Sequence, residues 1–234
     1  MAKIFAMGDL HGRLDLLVRA LKAIDAHSDR VGAKIITLGD YVDRGPDSAG
    51  IIALLMEQQA ADKDFICIQG NHEAMMLQTI LAPLKPDWWI GNGGHATLYS
   101  YGHPKLKVSR YLEDVSLGFV PDEHLRWMGA LPLYHETANH VFVHAGIPND
   151  GPLEKQPSDK LQWMMYNNAI PTGGWRGKHV VHGHVQYEDG PHSYPGAAGG
   201  RTNLDTFAWL TGRLVVGIFD EDKPTKPVEL LEVK

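Results

Sequence analysis

Short apolar runs alternate with amphipathic stretches along the first third of the chain. Residues 4–7, 34–38 and 65–69 form apolar runs of the length typical of buried strands. Apolar residues at helical spacing follow each run, which predicts helices over residues 14–24, 49–56 and 75–81. Strands that alternate with helices in this order are typical of βαβ units, so we expect an α/β fold with a largely parallel sheet.

The rest of the chain has a weaker pattern. From residue 83 to about residue 132, a Trp88-Trp89 pair and a glycine-rich stretch predict an irregular segment, followed by mixed helix and loop. Further strand-like runs cover residues 141–143, 179–181, 207–210 and 214–219, and residues 220–234 form a charged, proline-bearing tail. Because no repeat or low-complexity segment marks a boundary, we predict a single domain over residues 1–234.

Composition and charge narrow the functional classes. The 234 residues are 44% hydrophobic, enough for a large core, and the net charge of -6 argues against nucleic acid as a partner. A small anionic substrate is compatible with this charge, because bound divalent cations reverse the local sign. Cys67 is the only cysteine, so an intrachain disulfide and a cysteine-rich zinc site are excluded. The first residues lack the apolar run of a signal peptide or membrane span, so we expect a cytoplasmic protein without a membrane partner.

Residues that can bind metal ions follow five of the predicted strands directly. They are Asp9 and His11, Asp40, Asn71 and His72, His144, and His184. In open α/β sheets, ligands gather outside the carboxyl ends of the strands, so these residues are predicted to meet in one crevice. Their carboxylate, amide and imidazole donors suit Mn, Fe or Zn better than an oxygen-only Mg or Ca site.

Asp40 is the natural bridge between two cations, because its two oxygens can serve ions roughly 4 Å apart. A water between such cations loses a proton near neutral pH and becomes a nucleophile. Single residues also have simpler interpretations. Asp9 alone could cap the following helix, Glu73 is interpreted as favouring a helix N-terminus, and His182 is interpreted as structural. Because five coincidences at strand ends are improbable, we prefer metal binding for the whole set.

Three sequence blocks carry a resemblance to a known family. They are Gly8-Asp9-Leu10-His11-Gly12, Gly39-Asp40-Tyr41-Val42-Asp43-Arg44-Gly45 and Gly70-Asn71-His72-Glu73. Followed in order by His144-Ala145-Gly146 and Val181-His182-Gly183-His184, they resemble the signature blocks of the phosphoprotein phosphatase family of metallophosphoesterases. The resemblance spans roughly residues 4–219, and residues 89–102 further resemble its bacterial members related to phage phosphatases. It implies the calcineurin-like fold, a central β-sandwich of mixed sheets flanked by helices.

The resemblance implies a role for each residue of these blocks. Asp9, His11 and Asp40 would hold one metal, and Asp40, Asn71, His144 and His184 would hold the other, often manganese in this family. His72 would protonate the leaving oxygen as the general acid, and Asp43 would orient His72. Arg44 would bind the phosphate oxygens, with Asn71 also counted among the substrate-binding residues. The implied activity is phosphomonoester hydrolysis, with serine/threonine phosphoproteins or small phosphoesters as substrates.

One departure from the family pattern concerns phosphate binding. Bacterial members usually carry a Trp-Ile-Arg stretch after the His-Ala-Gly block, and its arginine is a second phosphate clamp. Here the segment reads Leu161-Gln162-Trp163-Met164-Met165. Met165 cannot donate a hydrogen bond to phosphate, so this clamp is absent. Arg176 and Arg201 are candidates to replace it, and each also has a purely structural interpretation.

Two other functions stay open. One is hydrolysis of dinucleoside polyphosphates such as diadenosine tetraphosphate, by enzymes that resemble this family. Those enzymes usually lack the aspartate of the Asp-Arg-Gly block and end the third block in aspartate, so Asp43 and Glu73 favour the phosphatase. The other is a metal-bearing module that binds phosphorylated partners without turning them over, and Met165 is its only support.

Overall fold

Two five-stranded sheets form the centre of the protein. The structure is a computed structural model, and it describes residues 2–81, 86–103, 117–148, 150–166, 174–196 and 199–234. The strands are β1 (Lys3–Met7), β2 (Lys34–Thr37), β3 (Phe65–Cys67), β4 (Tyr134–Glu136), β5 (His140–Val143), β6 (His179–His182), β7 (His192–Tyr194), β8 (Arg201–Asn203), β9 (Leu214–Asp220) and β10 (Glu229–Val233). The helices are α1 (Leu14–Asp25), α2 (Ser48–Ala61), α3 (Asn71–Leu81), α4 (Pro86–Trp89), α5 (His95–Ser100), α6 (Asp122–Ala130), α7 (Ser158–Trp163) and α8 (Ala208–Thr211). The predicted irregular segment from residue 83 to about residue 132 lies partly outside the described residues.

Both sheets are mixed. The first has the strand order β10-β9-β1-β2-β3, in which β1, β2 and β3 are parallel and β9 is antiparallel to both β1 and β10. The second has the order β4-β5-β6-β8-β7, in which β5, β6 and β8 are parallel and the edge strands β4 and β7 are antiparallel. The predicted parallel arrangement is therefore confirmed for β1, β2 and β3 at one side of the first sheet and for β5, β6 and β8 at the middle of the second, and antiparallel strands complete both sheets.

A fully buried apolar layer lies between the two sheets. It contains Ile4, Ala6, Ile36, Leu38, Ile68, Phe142, Val181, Leu204 and Phe219. Because side chains alternate along a strand, Phe5 and Ile35 point to the opposite face of the first sheet. There they belong to a second core with Leu17 of α1 and Ile51 of α2. The predicted β-sandwich of mixed sheets flanked by helices is confirmed.

The structure corrects several element predictions. Residues 207–210 were expected to form a strand, but Ala208–Thr211 is the helix α8, and Phe207 before it has a left-handed backbone with φ 56°. A short apolar run does not distinguish a strand from a buried helical turn, which explains the error. The charged tail also contains a strand that the pattern did not predict, β10 at the edge of the first sheet. None of the described helices has the length and apolar character needed to cross a membrane.

Candidate metal centre

The predicted metal ligands meet at the carboxyl ends of the parallel strands of the two sheets. Asp9 follows β1, Asp40 follows β2 and Asn71 follows β3, whereas His144 and His184 follow β5 and β6 of the second sheet. His144 Nε2 lies 2.7 Å from Asn71 Oδ1, and His184 Nδ1 lies 3.0 Å from the same atom. The crevice is therefore built from both sheets.

Two clusters of potential metal ligands share Asp40. In the first cluster, one donor atom each from His11, Asp40 and His72 lie within 4.8 Å of one another, and the second cluster joins Asp40 to His144 and His184 in the same way. Asp40 Oδ2 lies 3.5 Å from His11 Nε2, while Asp40 Oδ1 lies 3.4 Å from His144 Nε2. The two oxygens thus face different clusters, which is the geometry that a bridging carboxylate needs.

Strained backbone conformations bring these side chains together. His11, Asp40 and His184 have φ values of 39°, 53° and 68°, a region that non-glycine residues rarely adopt. Gly39, with φ 100°, lets the turn after β2 approach the turn after β3, because a Cβ atom there would lie 2.5 Å from Gly70 N. Such strain persists only where surrounding contacts hold it, and it is concentrated at functional sites.

Hydrogen bonds on the far side of two imidazoles fix which nitrogen faces the crevice. His11 Nδ1–H donates to the Val42 carbonyl at 2.8 Å, and His144 Nδ1–H donates to the Leu38 carbonyl at 2.8 Å. Each Nε2 therefore keeps a lone pair, as a metal-binding histidine requires. Burial lowers the pKa of both histidines, and burial followed by the nearby His144 lowers the pKa of His184 to about 4. All three imidazoles are neutral at pH 7.

The side-chain amide of Asn71 tests whether a cation fits this donor set. Its Oδ1 faces the Nε2 lone pair of His144, so two acceptors point at each other. The opposite amide orientation, in which the NH2 group donates to Asp40, His144 and His184, removes the conflict in the metal-free protein. A cation among the same atoms would also remove it, with Oδ1 as a ligand. The residues therefore fit a divalent metal.

Asp9 lies beside the two clusters and belongs to neither by the distances between donor atoms. Its two carboxylate oxygens accept the His184 backbone N–H at 3.1 and 3.3 Å. Burial, Asp205 and Asp40, in that order, raise the pKa of Asp9 well above its ordinary value. Burial likewise raises the pKa of Asp205 to about 6. The sequence pattern does not indicate Asp205, because β8 before it has no apolar run.

Asp43 and His72, which the family resemblance pairs, are in direct contact. The distance from His72 Nδ1 to Asp43 Oδ2 is 2.6 Å. Asp43 is fully buried, and it also accepts hydrogen bonds from Trp89 Nε1 at 3.0 Å and from the Thr97 hydroxyl at 2.7 Å. Although burial alone would lower the pKa of His72, Asp40 and the hydrogen bond that His72 donates to Asp43 outweigh it, so the pKa is raised. His72 is thus held by Asp43 through Nδ1, with its Nε2 directed to the crevice.

Arg44 reaches into the first cluster. Its guanidinium donates to His11 Nε2 at 2.8 Å and to His72 Nε2 at 3.1 Å, and its charge lies 5.8 Å from the centre of the Trp209 ring. The group therefore stands where a substrate phosphate next to the first cluster would meet it. A cation that binds His11 Nε2 uses the lone pair that now accepts from Arg44, so the two contacts exclude each other.

Glu73 does more than favour a helix N-terminus. It is fully buried, and its carboxylate accepts the backbone N–H groups of Gly70, Asp40, Tyr41 and Val42 at 2.8–3.2 Å. The bond to Gly70 is the capping contact at the start of α3. The other three hold the turn that carries Asp40, so the helix-terminus interpretation covers only one of the four bonds.

Arg176 and Arg201, the possible replacements for the absent phosphate clamp, do not point into the candidate site. Arg176 donates to the Asp150 carbonyl at 2.7 Å and stacks on Trp175. Arg201 is buried between two tyrosine rings and donates to His182 Nε2 at 3.0 Å. Met165 is 64% exposed. Both arginines thus have structural partners, and Arg44 is the arginine that contacts the candidate site among the described residues.

Comparison with known proteins identifies the relatives of this chain. The chain matches the calcineurin-like phosphoesterases over residues 2–212. It is 30% identical to serine/threonine-protein phosphatase 1 of Salmonella typhimurium over 62% of the chain and 59% of that protein. It is 27% identical to the symmetrical bis(5'-nucleosyl)-tetraphosphatase of Marinomonas sp. over 64% of the chain and 46% of that protein. The chain thus spans about half the length of these relatives.

A solved structure supports the assignment of the fold. A crystal structure of a proposed diadenosine tetraphosphatase superimposes with a TM-score of 0.67 at 21% identity, covering 99% of the chain and 92% of that protein. At this identity the likeness supports the fold alone. The sequence relatives divide between phosphatases and tetraphosphatases, so similarity does not select a substrate.

Proposed function

We propose that this chain, which belongs to the calcineurin-like phosphoesterase family, is a hydrolase of phosphoesters, and specifically a two-metal phosphomonoesterase acting on serine/threonine phosphoproteins. The observation that carries this proposal is the 2.6 Å contact between His72 and the buried Asp43. It supports a general acid that is ready to protonate a leaving oxygen.

The need for an acid differs between the two candidate substrate classes. A serine or threonine side chain leaves as an alkoxide, which is strongly basic and must be protonated as the bond to phosphorus breaks. A dinucleoside tetraphosphate releases a nucleotide phosphate, which is a weak base and departs readily without a proton. An acid whose pKa is raised by two neighbouring carboxylates suits the alkoxide. Hydrolysis of dinucleoside polyphosphates remains the second candidate, because a relative with that activity matches the chain.

The proposed metal ligands are Asp9, His11, Asp40, Asn71, His144 and His184. Two divalent cations at such a site supply an activated water and neutralise the phosphoryl oxygens. The mixture of imidazole, carboxylate and amide donors supports manganese, with iron and zinc as further options. Asp40 would hold the two cations at a fixed separation, since its oxygens face different clusters.

The other residues of the site act on the substrate directly. Arg44 binds the phosphoryl oxygens by charge-assisted hydrogen bonds once it leaves His11 and His72, and Asn71, at the start of α3, is the second proposed substrate-binding residue. Once Arg44 has left it, His72 Nε2 takes up a proton and donates it to the leaving oxygen, while Nδ1–H stays with Asp43. Trp89 and Thr97 hold Asp43 in place behind it.

The proposal is tested by comparing substrates under one set of conditions. The protein is loaded with manganese and assayed on p-nitrophenyl phosphate, a phosphoserine peptide and diadenosine tetraphosphate. We expect measurable turnover of the first two and a higher kcat/KM on the peptide than on the dinucleotide. Higher kcat/KM on the dinucleotide would move the assignment to the second candidate. Undiminished activity after exhaustive chelation would contradict the metal-dependent mechanism itself.

A further inference from the structure

A buried arginine next to the candidate metal centre has no evident part in phosphate binding. We infer that Arg201, acting through His182, is a positioning residue that fixes the peptide between Gly183 and His184. This inference rests on the proposed roles of Asp9 and His184 as metal ligands. It adds a chain of three hydrogen bonds that runs from Arg201, 17 residues after His184, to Asp9.

Arg201 is held by aromatic rings and is 9% exposed. Its guanidinium carbon lies 4.2 Å from the centre of the Tyr166 ring and 3.7 Å from that of Tyr194. No carboxylate forms an ion pair with it among the described residues. Cation–π contacts of this kind hold a charge without neutralising it, so the N–H groups remain available to donate.

The bond from Arg201 determines the protonation of the His182 ring. A guanidinium can only donate, so His182 Nε2, 3.0 Å away, must accept and carries no proton. The proton of the neutral ring is therefore on Nδ1. Nδ1 lies 3.0 Å from the carbonyl oxygen of Gly183 and donates to it. Without Arg201, the ring could place its proton on Nε2, and this second bond would be lost.

The peptide group between Gly183 and His184 accepts this bond, and it links His184 to Asp9, the other proposed metal ligand. Its carbonyl belongs to Gly183, and its N–H belongs to His184 and donates to Asp9. Both ends of one peptide plane are thus held. His184 has a left-handed backbone at φ 68°, which a non-glycine residue adopts only when its surroundings hold it. A Cβ atom at Gly183 would lie 2.1 Å from Asp9 Oδ1, so the plane also packs directly on that carboxylate.

Three variants isolate the effect of the arginine. Arg201→Met removes the donor and keeps most of the side-chain volume, whereas Arg201→Lys keeps a donor and a positive charge. Arg176→Met is the control, because Arg176 also stacks on an aromatic ring but donates to a backbone carbonyl, and it has no histidine partner among the described residues. The wild-type protein and each variant are examined without metal by ¹⁵N NMR of the histidine rings and are then titrated with Mn²⁺ by calorimetry.

We expect the His182 ring of the wild-type protein to carry its proton on Nδ1, and Arg201→Met to weaken or abolish that preference. The same variant should bind Mn²⁺ roughly 10- to 100-fold more weakly, the usual cost of removing a group that orients a metal ligand. Arg201→Lys should recover most of both properties, and Arg176→Met should change neither. The His182 signals are assigned from their absence in His182→Gln.

Three results would overturn the inference. The first is an unchanged ring protonation of His182 in Arg201→Met. The second is a changed ring protonation with an unchanged affinity for Mn²⁺. The third is a loss of affinity that Arg201→Lys does not recover and that parallels the fall in melting temperature, which indicates a merely structural arginine. The proposed function fails separately, if the wild-type protein binds no divalent metal or does not hydrolyse phosphomonoesters.

Discussion

Replacing Asp43 by asparagine should slow hydrolysis in a manner that depends on the leaving group. The carboxylate lies 2.6 Å from His72 Nδ1, and hydrogen bonds to charged groups contribute about 1.5–3 kcal/mol. At about 1.4 kcal/mol per factor of ten, the loss of this bond lowers the rate about 10- to 100-fold. This loss applies to esters whose leaving oxygen must be protonated. For p-nitrophenyl phosphate, which needs little protonation, the loss should stay within about threefold.

The pH profile gives a second measurement of the same variant. The pKa of His72 is raised by Asp40 and Asp43 against the effect of burial, so removal of one carboxylate lowers it. His72 then loses its acidic proton at a lower pH, so the alkaline limb of the kcat profile should move to lower pH. Asp87→Asn, an exposed change on the helix that carries Trp89, should leave the profile unaltered.

The assay compares kcat for a phosphoserine peptide and for p-nitrophenyl phosphate at saturating manganese. Manganese affinity is measured in parallel by calorimetry, because a loss of metal would lower both rates together. Equal losses on the two esters with normal metal binding would refute the reasoning, since His72 would then act on something other than the leaving oxygen.

Three further predictions concern the metals and the stability of the fold. Asp40→Asn should abolish Mn²⁺ binding at both clusters in a calorimetric titration, because an amide cannot bridge two cations as a carboxylate does; binding at the wild-type affinity would contradict the bridging role. Glu73→Gln turns an NH2 group toward backbone donors, and urea unfolding should show a loss of about 2–4 kcal/mol as two N–H groups lose their acceptor. The folded pKa of His140 is lowered to about 4 by burial, against about 6.5 in the unfolded chain, so the unfolded state binds a proton first as the pH falls. His140 therefore lowers the free energy of unfolding by about 2 kcal/mol between pH 7 and pH 5. In urea unfolding at these two pH values, His140→Phe should lose about 2 kcal/mol less stability than the wild-type protein does.

The sequence predicted the residues that stand directly after apolar strands. Asp9, Asp40 and Asn71 follow β1, β2 and β3, and in each case a buried run marks the strand and a glycine precedes the polar residue. Parallel strands with buried faces produce such runs, so the direction of the sheet and the place of the crevice were both accessible. The roles of these residues as metal ligands remain predictions.

The parts that escaped prediction depend on contacts between distant segments. The strand β8 contains polar and charged residues, and it is a strand because β6 and β7 pair with it on either side. Its position places Asp205 beside Asp9 and Arg201 between two tyrosines. Nothing within the local pattern indicates either contact. Likewise, Glu73 looks like an ordinary helix-start residue until the turn after β2 is brought to it.

The position of β1 in the first sheet also has a consequence for biosynthesis. Ile4 pairs with Lys34 on one side and with Phe219 on the other, so β1 is an inner strand that uses both of its edges. A ribosome releases β2 soon after β1, but the partner on the other edge arrives only with residues 214–220, near the end of translation of this sequence. Until then, a nascent chain exposes one unpaired edge of β1 and the apolar side chains around it, which invites association with other chains. The loop that carries Asp9 directly follows this strand, so the candidate metal centre is completed late, and partial products of translation should depend on chaperones.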